Sequence, residues 1–221
     1  MREIQGLPPS ATEGIFSQLD AVQAARETAI GACRRAIRYA ASAIRATHTD
    51  DLARAVELLG ESEQSVRHSQ EALRPYPAVT YAGFLQDAEK EYAEAVLTLA
   101  LVQGTELPTW DGLSIGLPPW LNGLCEAASE LRRQILDRLR EGHLEQGERL
   151  LQAMDSVYEL LMSVDYPDAI TAGLRRNTDS LRAVLERTRS DLVTAALHMR
   201  LQDSLEQAAK HRGHAPGSDA S

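Results

Sequence analysis

The chain has 221 residues, 23 basic against 32 acidic side chains, and a formal charge of −9. That length supports one good-sized core or at most two small domains. The acidity argues against loose, non-specific coating of nucleic acid or anionic membrane, though a local basic face remains compatible with it. Hydrophobic residues make up 43% and aromatics 5%, and Ala, Leu, Arg and Glu dominate, a mixture that favours helix. The longest apolar run reaches about half of the ~20 residues needed to span a bilayer, so no membrane segment is expected. Residues 1–6 carry no apolar core of the kind a signal peptide needs. Cys33 and Cys125 lie far apart in helical patterns and read as buried free thiols of a reducing, cytoplasmic compartment.

In chain order, residues 1–10 form a short arm ending in Pro8-Pro9-Ser10. A long helix follows over roughly 11–48, with Ile15, Leu19, Val22, Ile30, Cys33, Ile37 and Ile44 on its apolar side. Thr49-Asp50-Asp51 is a break and a new N-cap. The second helix, about 51–73, carries Leu52, Val56, Leu59 and Val66 and stops at Arg74-Pro75. A third spans about 78–103 and ends near Gly104. Residues 104–118 form the one sizeable loop, and Pro118-Pro119 starts a fourth helix that runs to about Arg140. A fifth covers about 144–163. In the last helix, Leu174, Thr178, Leu181, Leu185, Thr188, Leu192, Ala195 and Met199 alternate spacings of four and three, the rhythm of a helix–helix seam. The pattern dissolves after Leu205, and 208–221 reads as a disordered tail. No strand or internal repeat emerges. The expectation is one all-α domain over 11–207, a bundle of six or seven helices.

The third helix holds the most informative stretch. Leu85, Ala88, Tyr92, Ala95, Val96 and Leu99 share one stripe, with Asp87, Glu91 and Glu94 on a second stripe beside it. Residues 95–102 are then apolar on every side, the mark of a buried helix. Glu91 and Glu94 therefore stand where a carboxylate begins to lose water and needs a cation, hydrogen bonds or a raised pKa. The fourth helix offers a second pair, Glu126 and Glu130, also one turn apart. Two readings fit. Four oxygen ligands from two helices suit Mg2+ or Mn2+, which could activate water for phosphodiester hydrolysis. Alternatively, these are solvated helix faces, because Glu126 and Glu130 lie opposite the Leu121/Leu124/Ala128/Leu131/Ile135 stripe and Arg133 is within reach of Glu130. No Glu has His three residues later, which argues against a di-iron bundle. On the first helix Arg34, Arg38 and Arg45 follow one line, with Arg35 beside it. They form either a phosphate-contacting strip or a solvated face.

These segments resemble the translin/TRAX family. Ala25-Arg26-Glu27-Thr28-Ala29-Ile30 and Cys33-Arg34-Arg35-Ala36-Ile37 are similar to the family's basic opening helix. Glu91-Tyr92-Ala93-Glu94-Ala95 resembles its Glu-Tyr-x-Glu-Ala motif. Residues 120–133, from Trp120-Leu121-Asn122-Gly123 to Glu130-Leu131, resemble its segment that opens Tyr-Leu-x-Gly and closes Glu-Leu. Leu174-Arg175-Arg176, Asp179 and Asp191-Leu192 also fit, so the resemblance spans roughly 20–195. It implies an all-α subunit of a closed homo-oligomeric shell, an octamer or hexamer, that encloses single-stranded RNA, with single-stranded DNA as a further ligand. For a TRAX-type subunit it implies a Mg2+-dependent endoribonuclease site built from Glu91, Glu94, Glu126 and Glu130, with Mn2+ as a substitute ion and Arg34, Arg35, Arg38 and Arg45 on phosphates. A translin-type subunit would be a non-catalytic shell that binds single-stranded RNA or DNA. One position departs from the pattern: residue 126 is Glu where TRAX-type members usually carry Asp, and Glu reaches farther.

Overall fold

The computed structural model describes residues 8–80 and 83–213. The rest of the expected N-terminal arm and the 214–221 part of the expected tail lie outside them. Eight helices are found among the described residues: α1 (Pro9–His48), α2 (Leu52–Leu73), α3 (Pro77–Thr80), α4 (Phe84–Gln103), α5 (Leu117–Arg140), α6 (Leu144–Met162), α7 (Asp168–Thr171) and α8 (Leu174–Gly213). Six are long and two are single turns, so the chain is the all-α bundle that its periodicity implies. None of the described helices is long and apolar enough to cross a membrane.

Helices α1 and α2 form a hairpin. Its turn places Asp50 at φ 56°, and the Asp51 side chain caps α2 by accepting from the Arg54 backbone N–H at 3.2 Å. Small residues line the seam: Ala29, Ala32, Ala36, Ala40 and Ala43 of α1 are all buried. They let the backbones approach closely enough for Ser62 Oγ to donate to the Ala36 carbonyl at 3.0 Å and for Cys33 Sγ to sit 3.1 Å from Ser69 Oγ. Both cysteines are buried and free.

The expected helix over 78–103 is two pieces. Gly83 adopts φ 90°, a conformation outside the right-handed helical basin, and α4 begins only after it. Gly104, at φ 67°, ends α4 in the left-handed conformation that closes many helices. The loop that follows is pinned from inside. Glu89 is buried and accepts from Gln70 Nε2 at 2.8 Å and from the Gly116 N–H at 3.3 Å, while Trp120 Nε1 donates to the Pro108 carbonyl at 2.9 Å. Burial pushes the Glu89 pKa up, opposed by these two hydrogen bonds.

Helix α5 is the centre of the bundle, packed against α4 on one side and against α6 and α8 on the other. The stripe read from its sequence, Leu121, Leu124, Ala128, Leu131 and Ile135, is buried. A second set on the same helix, Gly123, Ala127 and Gln134, is also buried, at spacings of four and seven. The expectation that Glu126 and Glu130 face away from the monomer core is therefore corrected: α5 has neighbours on both sides, and these carboxylates lie along its seam with α4 and α1. The α8 seam is buried at Leu174, Thr178, Leu181, Leu185, Thr188 and Leu192, whereas Val193, Leu197, Leu201 and Leu205 are exposed.

The contact between α4 and α5 is tight at Gly123. A Cβ there would stand 2.8 Å from both the Ala93 Cβ and the Lys90 carbonyl oxygen, and 2.9 Å from the Glu94 nitrogen. Gly123→Ala must push the two helices apart, and we expect it to cost about 1–3 kcal/mol. Gly60→Ala, inside α2 with nothing within 4 Å, should instead gain about 0.5–1 kcal/mol from the helix preference of alanine. Thermal denaturation of the two variants would show Tm moving in opposite directions. Equal shifts would contradict the packing argument.

Candidate metal centre

The close approach at Gly123 sets three carboxylates against one another. Glu91 and Glu94 are one turn apart on α4, and Glu126 follows Gly123 by one turn on α5. One oxygen from each of Glu91, Glu94 and Glu126 lies within 4.8 Å of the others. Glu94 is the deepest, with a relative exposure of 8%, and among the described residues no hydrogen bond or ion pair reaches its carboxylate. Glu91 and Glu126 are half-buried.

Lys90 completes the cluster. Its Nζ lies 2.6 Å from Glu126 Oε2 and 3.2 Å from Glu91 Oε1, bridging the two helices. Burial lowers its pKa, but the adjoining Glu126 and Glu91 outweigh that, and the net shift is upward. A single ammonium thus faces three carboxylates, leaving two negative charges uncompensated when all are ionised. Glu94 carries the consequence. Burial first, then the charges of Glu126, Glu91 and Glu130, push its pKa up to about 8, with Lys90 opposing them.

The residues present suit a hard divalent cation. All three donors are carboxylate oxygens, the ligand type of Mg2+ and Mn2+. The neighbouring thiol of Cys125 is held up to about 12, by burial and then by the Glu126 charge, so it supplies no thiolate that would favour a softer metal. The unpartnered buried carboxylate of Glu94 is itself an argument for a cation, since such a group stays ionised only when compensated.

Glu130 stands apart from the trio. Its Oε2 lies 2.7 Å from Nε2 of His48, whose side chain is only 3% exposed in the last turn of α1. Gln134 Nε2 donates to the Thr47 carbonyl at 3.0 Å and lies 3.4 Å from His48 Nδ1, holding the end of α1 against α5. Arg34, Arg35, Arg38 and Arg45 are exposed on α1. Arg45 donates to Ser42 Oγ at 2.8 Å, and among the described residues no acidic group lies at ion-pair distance from Arg34, Arg35 or Arg38. Arg34, Arg38, Arg45 and His48 follow one line of the helix, so the strip leads towards Glu130.

Sequence reasoning missed Lys90 and His48, because both join the site through contacts between helices that no periodicity encodes. A faint signal existed for one of them: Lys90 and Lys210 are the chain's two lysines among 23 basic residues.

No family model matches the chain. The structure of AfC3PO in complex with duplex RNA superposes with a TM-score of 0.78 at 30% identity, covering 85% of this chain and 97% of that one. AfC3PO is a translin/TRAX-type protein. The chain belongs to the translin/TRAX family. A second structure of AfC3PO matches equally well, at TM-score 0.78 and 30% identity. Apo-NeC3PO, at 17% identity and TM-score 0.77 over 86% of this chain and 99% of its own, shares the fold. Uncharacterized protein MJ0175 of Methanocaldococcus jannaschii is 28% identical over 184 residues, 82% of this chain and 81% of that protein. The translin/TRAX motifs on α4 and α5 are the segments that carry Glu91, Glu94 and Glu126 into one cluster.

The raised pKa of Glu94 has a definite sign in stability. Its folded value of about 8 lies above its ordinary 4.5, so its contribution is fully present below pH 4.5 and is lost as pH rises through 8. In EDTA, the Tm of the native chain should fall over that window, and Glu94→Gln should flatten the fall and be the more stable protein at pH 8. Adding Mg2+ or Mn2+ at pH 8 should raise the Tm of the native chain and leave Glu94→Gln nearly unmoved. Parallel pH profiles for the two proteins would refute this account of Glu94.

Proposed function

We propose that this chain is a Mg2+-dependent endoribonuclease subunit that cuts single-stranded RNA inside a closed homo-oligomeric shell, an octamer or hexamer. The observation that carries the proposal is the convergence of Glu91, Glu94 and Glu126, with Glu94 buried and, among the described residues, unpartnered. The duplex RNA complex of the structurally similar AfC3PO supports RNA as the ligand class.

Glu91, Glu94 and Glu126 would hold the ion, Mg2+ or Mn2+. When bound, such an ion polarises the scissile phosphate and lowers the pKa of a water beside it. Glu130 accepts the proton of the attacking water, with its carboxylate oriented by His48. Lys90 keeps Glu126 and Glu91 drawn together and offsets part of their repulsion. Arg34, Arg35, Arg38 and Arg45 take the phosphates of the strand as it crosses α1. The buried free thiols Cys33 and Cys125 fit a reducing, cytoplasmic setting.

A second reading has one observation in its favour. Lys90 already supplies a cation to two of the three carboxylates, as a purely structural ion pair would. On that reading the chain is a non-catalytic shell that retains single-stranded RNA or DNA.

One assay separates the two. With Mg2+, purified protein should cleave single-stranded RNA internally. EDTA should abolish cleavage, and Glu94→Gln should lower it by about 100-fold or more while RNA retention persists. RNA retained yet left intact by the native protein would establish the binding shell instead, and RNA cut equally well by Glu94→Gln would refute the metal centre.

A further inference from the structure

A pocket of about 230 Å³ opens beside the acidic cluster, between α4, α5 and the α7–α8 corner. Lys90 and Glu126 belong to both the cluster and the pocket wall, so the two spaces are contiguous. Arg176 and Asn177, from the start of α8, form the opposite side. We infer that this pocket seats a sugar–phosphate unit of the RNA next to the cleavage point, and that Arg176 is the positioning residue that grips its phosphate. The inference rests on the proposal that the cluster is an RNA-cleaving centre.

Three observations support it. The first is rigidity. Asn122, 4% exposed, donates through Nδ2 to the Thr171 and Pro118 carbonyls, at 2.9 Å each, and accepts from Asn177 Nδ2 at 2.8 Å. The buried amide thereby locks the α7–α8 corner onto α5, so Asn177 and the backbone that carries Arg176 are held in place before any ligand arrives. Such preorganisation reduces the entropy lost on binding.

The second is charge. Arg176 is exposed, and among the described residues no carboxylate lies at ion-pair distance from it, so its fork of donors is available for a bidentate phosphate contact. The other cation in the wall, Lys90, is engaged by Glu126 and Glu91. Asp87 and Glu126 are the acidic groups lining the same pocket. They disfavour any free anion, so the phosphate that enters is one whose strand is held elsewhere, as by the α1 arginines, and whose other contacts offset that repulsion.

The third is size. Sites for whole drug-sized molecules measure about 300–1,000 Å³. A space of about 230 Å³ suits one sugar–phosphate unit, with the exposed amide of Gln86 on its wall as a partner for sugar hydroxyls.

The test uses the full-length assembled protein, fluorescein-labelled single-stranded RNA, and the variants Arg176→Gln, Arg176→Lys and Arg182→Gln. Arg182 is exposed on a different face of α8 and controls for the loss of one positive charge. In EDTA, Arg176→Gln should weaken RNA binding about tenfold and reduce the slope of log affinity against log salt by about 1. Arg176→Lys should restore the slope, and Arg182→Gln should match the native protein. With Mg2+, Arg176→Gln should raise KM while kcat stays within about twofold, and calorimetric Mn2+ affinity should not change. Native affinity and slope in Arg176→Gln, or an equal loss in Arg182→Gln, would overturn the assignment. If the native protein cleaves no RNA yet Arg176→Gln still binds it less well with a reduced salt slope, the pocket stands and the catalytic proposal falls. If cleavage stands and Arg176→Gln binds as the native protein does, the pocket alone falls.

Discussion

The structure depends on one steric permission, the absence of a side chain at Gly123. Any Cβ there would meet backbone and side-chain atoms of α4 at 2.8–2.9 Å. Because it is absent, α4 and α5 approach closely enough for carboxylates on two helices to share a space only a few ångströms across. The same approach buries Ala93 completely, with Leu97 and Ala127 also fully enclosed. The C-terminal half of α4 can be apolar all round because it is enclosed by α1, α2 and α5. Packing and site geometry are consequences of the same contact.

That contact also creates an electrostatic conflict. A bundle built for stability alone would not place Glu94 at 8% exposure, with no hydrogen bond from the described residues, between two further carboxylates. The surrounding core of α4, α5, α6 and α8, which includes the fully buried Leu97, Leu124, Leu131, Ile135 and Met154, offsets the cost. Local disagreement of this kind between a residue and its environment is where function tends to reside. Glu89, two residues before Glu91, is the instructive contrast. It is equally buried, yet two donors satisfy it and it pins the loop preceding α5. Two glutamates on one helix therefore have different roles, set by whether the fold supplies partners.

Much of this was legible in the sequence, and what was not has physical reasons. The six long helices followed from apolar periodicity, and their ends from Asp51, Pro75, Gly104 and the Pro118-Pro119 pair, because these residues act locally. Gly83 gives no sequence signal of a break, because an isolated glycine is tolerated in helical patterns, and its φ of 90° marks the interruption. The second buried face of α5 is silent in the sequence because Gly123, Ala127 and Gln134 are small or polar and contribute little to an apolar stripe. Hence periodicity alone puts Glu126 and Glu130 on an outer face, although their one-turn spacing already pairs them. The contacts of His48 and Lys90 span 82 and 36 positions of chain, a relation that belongs to the fold.

The glutamate at position 126 takes on meaning in this geometry. An aspartate would carry its carboxylate about 1.5 Å less far from the α5 backbone. With Glu, the carboxylate reaches Lys90 on α4 at 2.6 Å and brings an oxygen within 4.8 Å of Glu91 and Glu94. The longer side chain and the lysine thus work together. Glu126 extends across the seam, and the Lys90 ammonium holds it there against the repulsion of two other carboxylates. With Asp at 126, the separation from the α4 carboxylates would widen and the need for a cation between the helices would weaken. The pairing of Glu126 with Lys90 is therefore a single structural solution: reach from one helix, and the charge that makes that reach sustainable from the other.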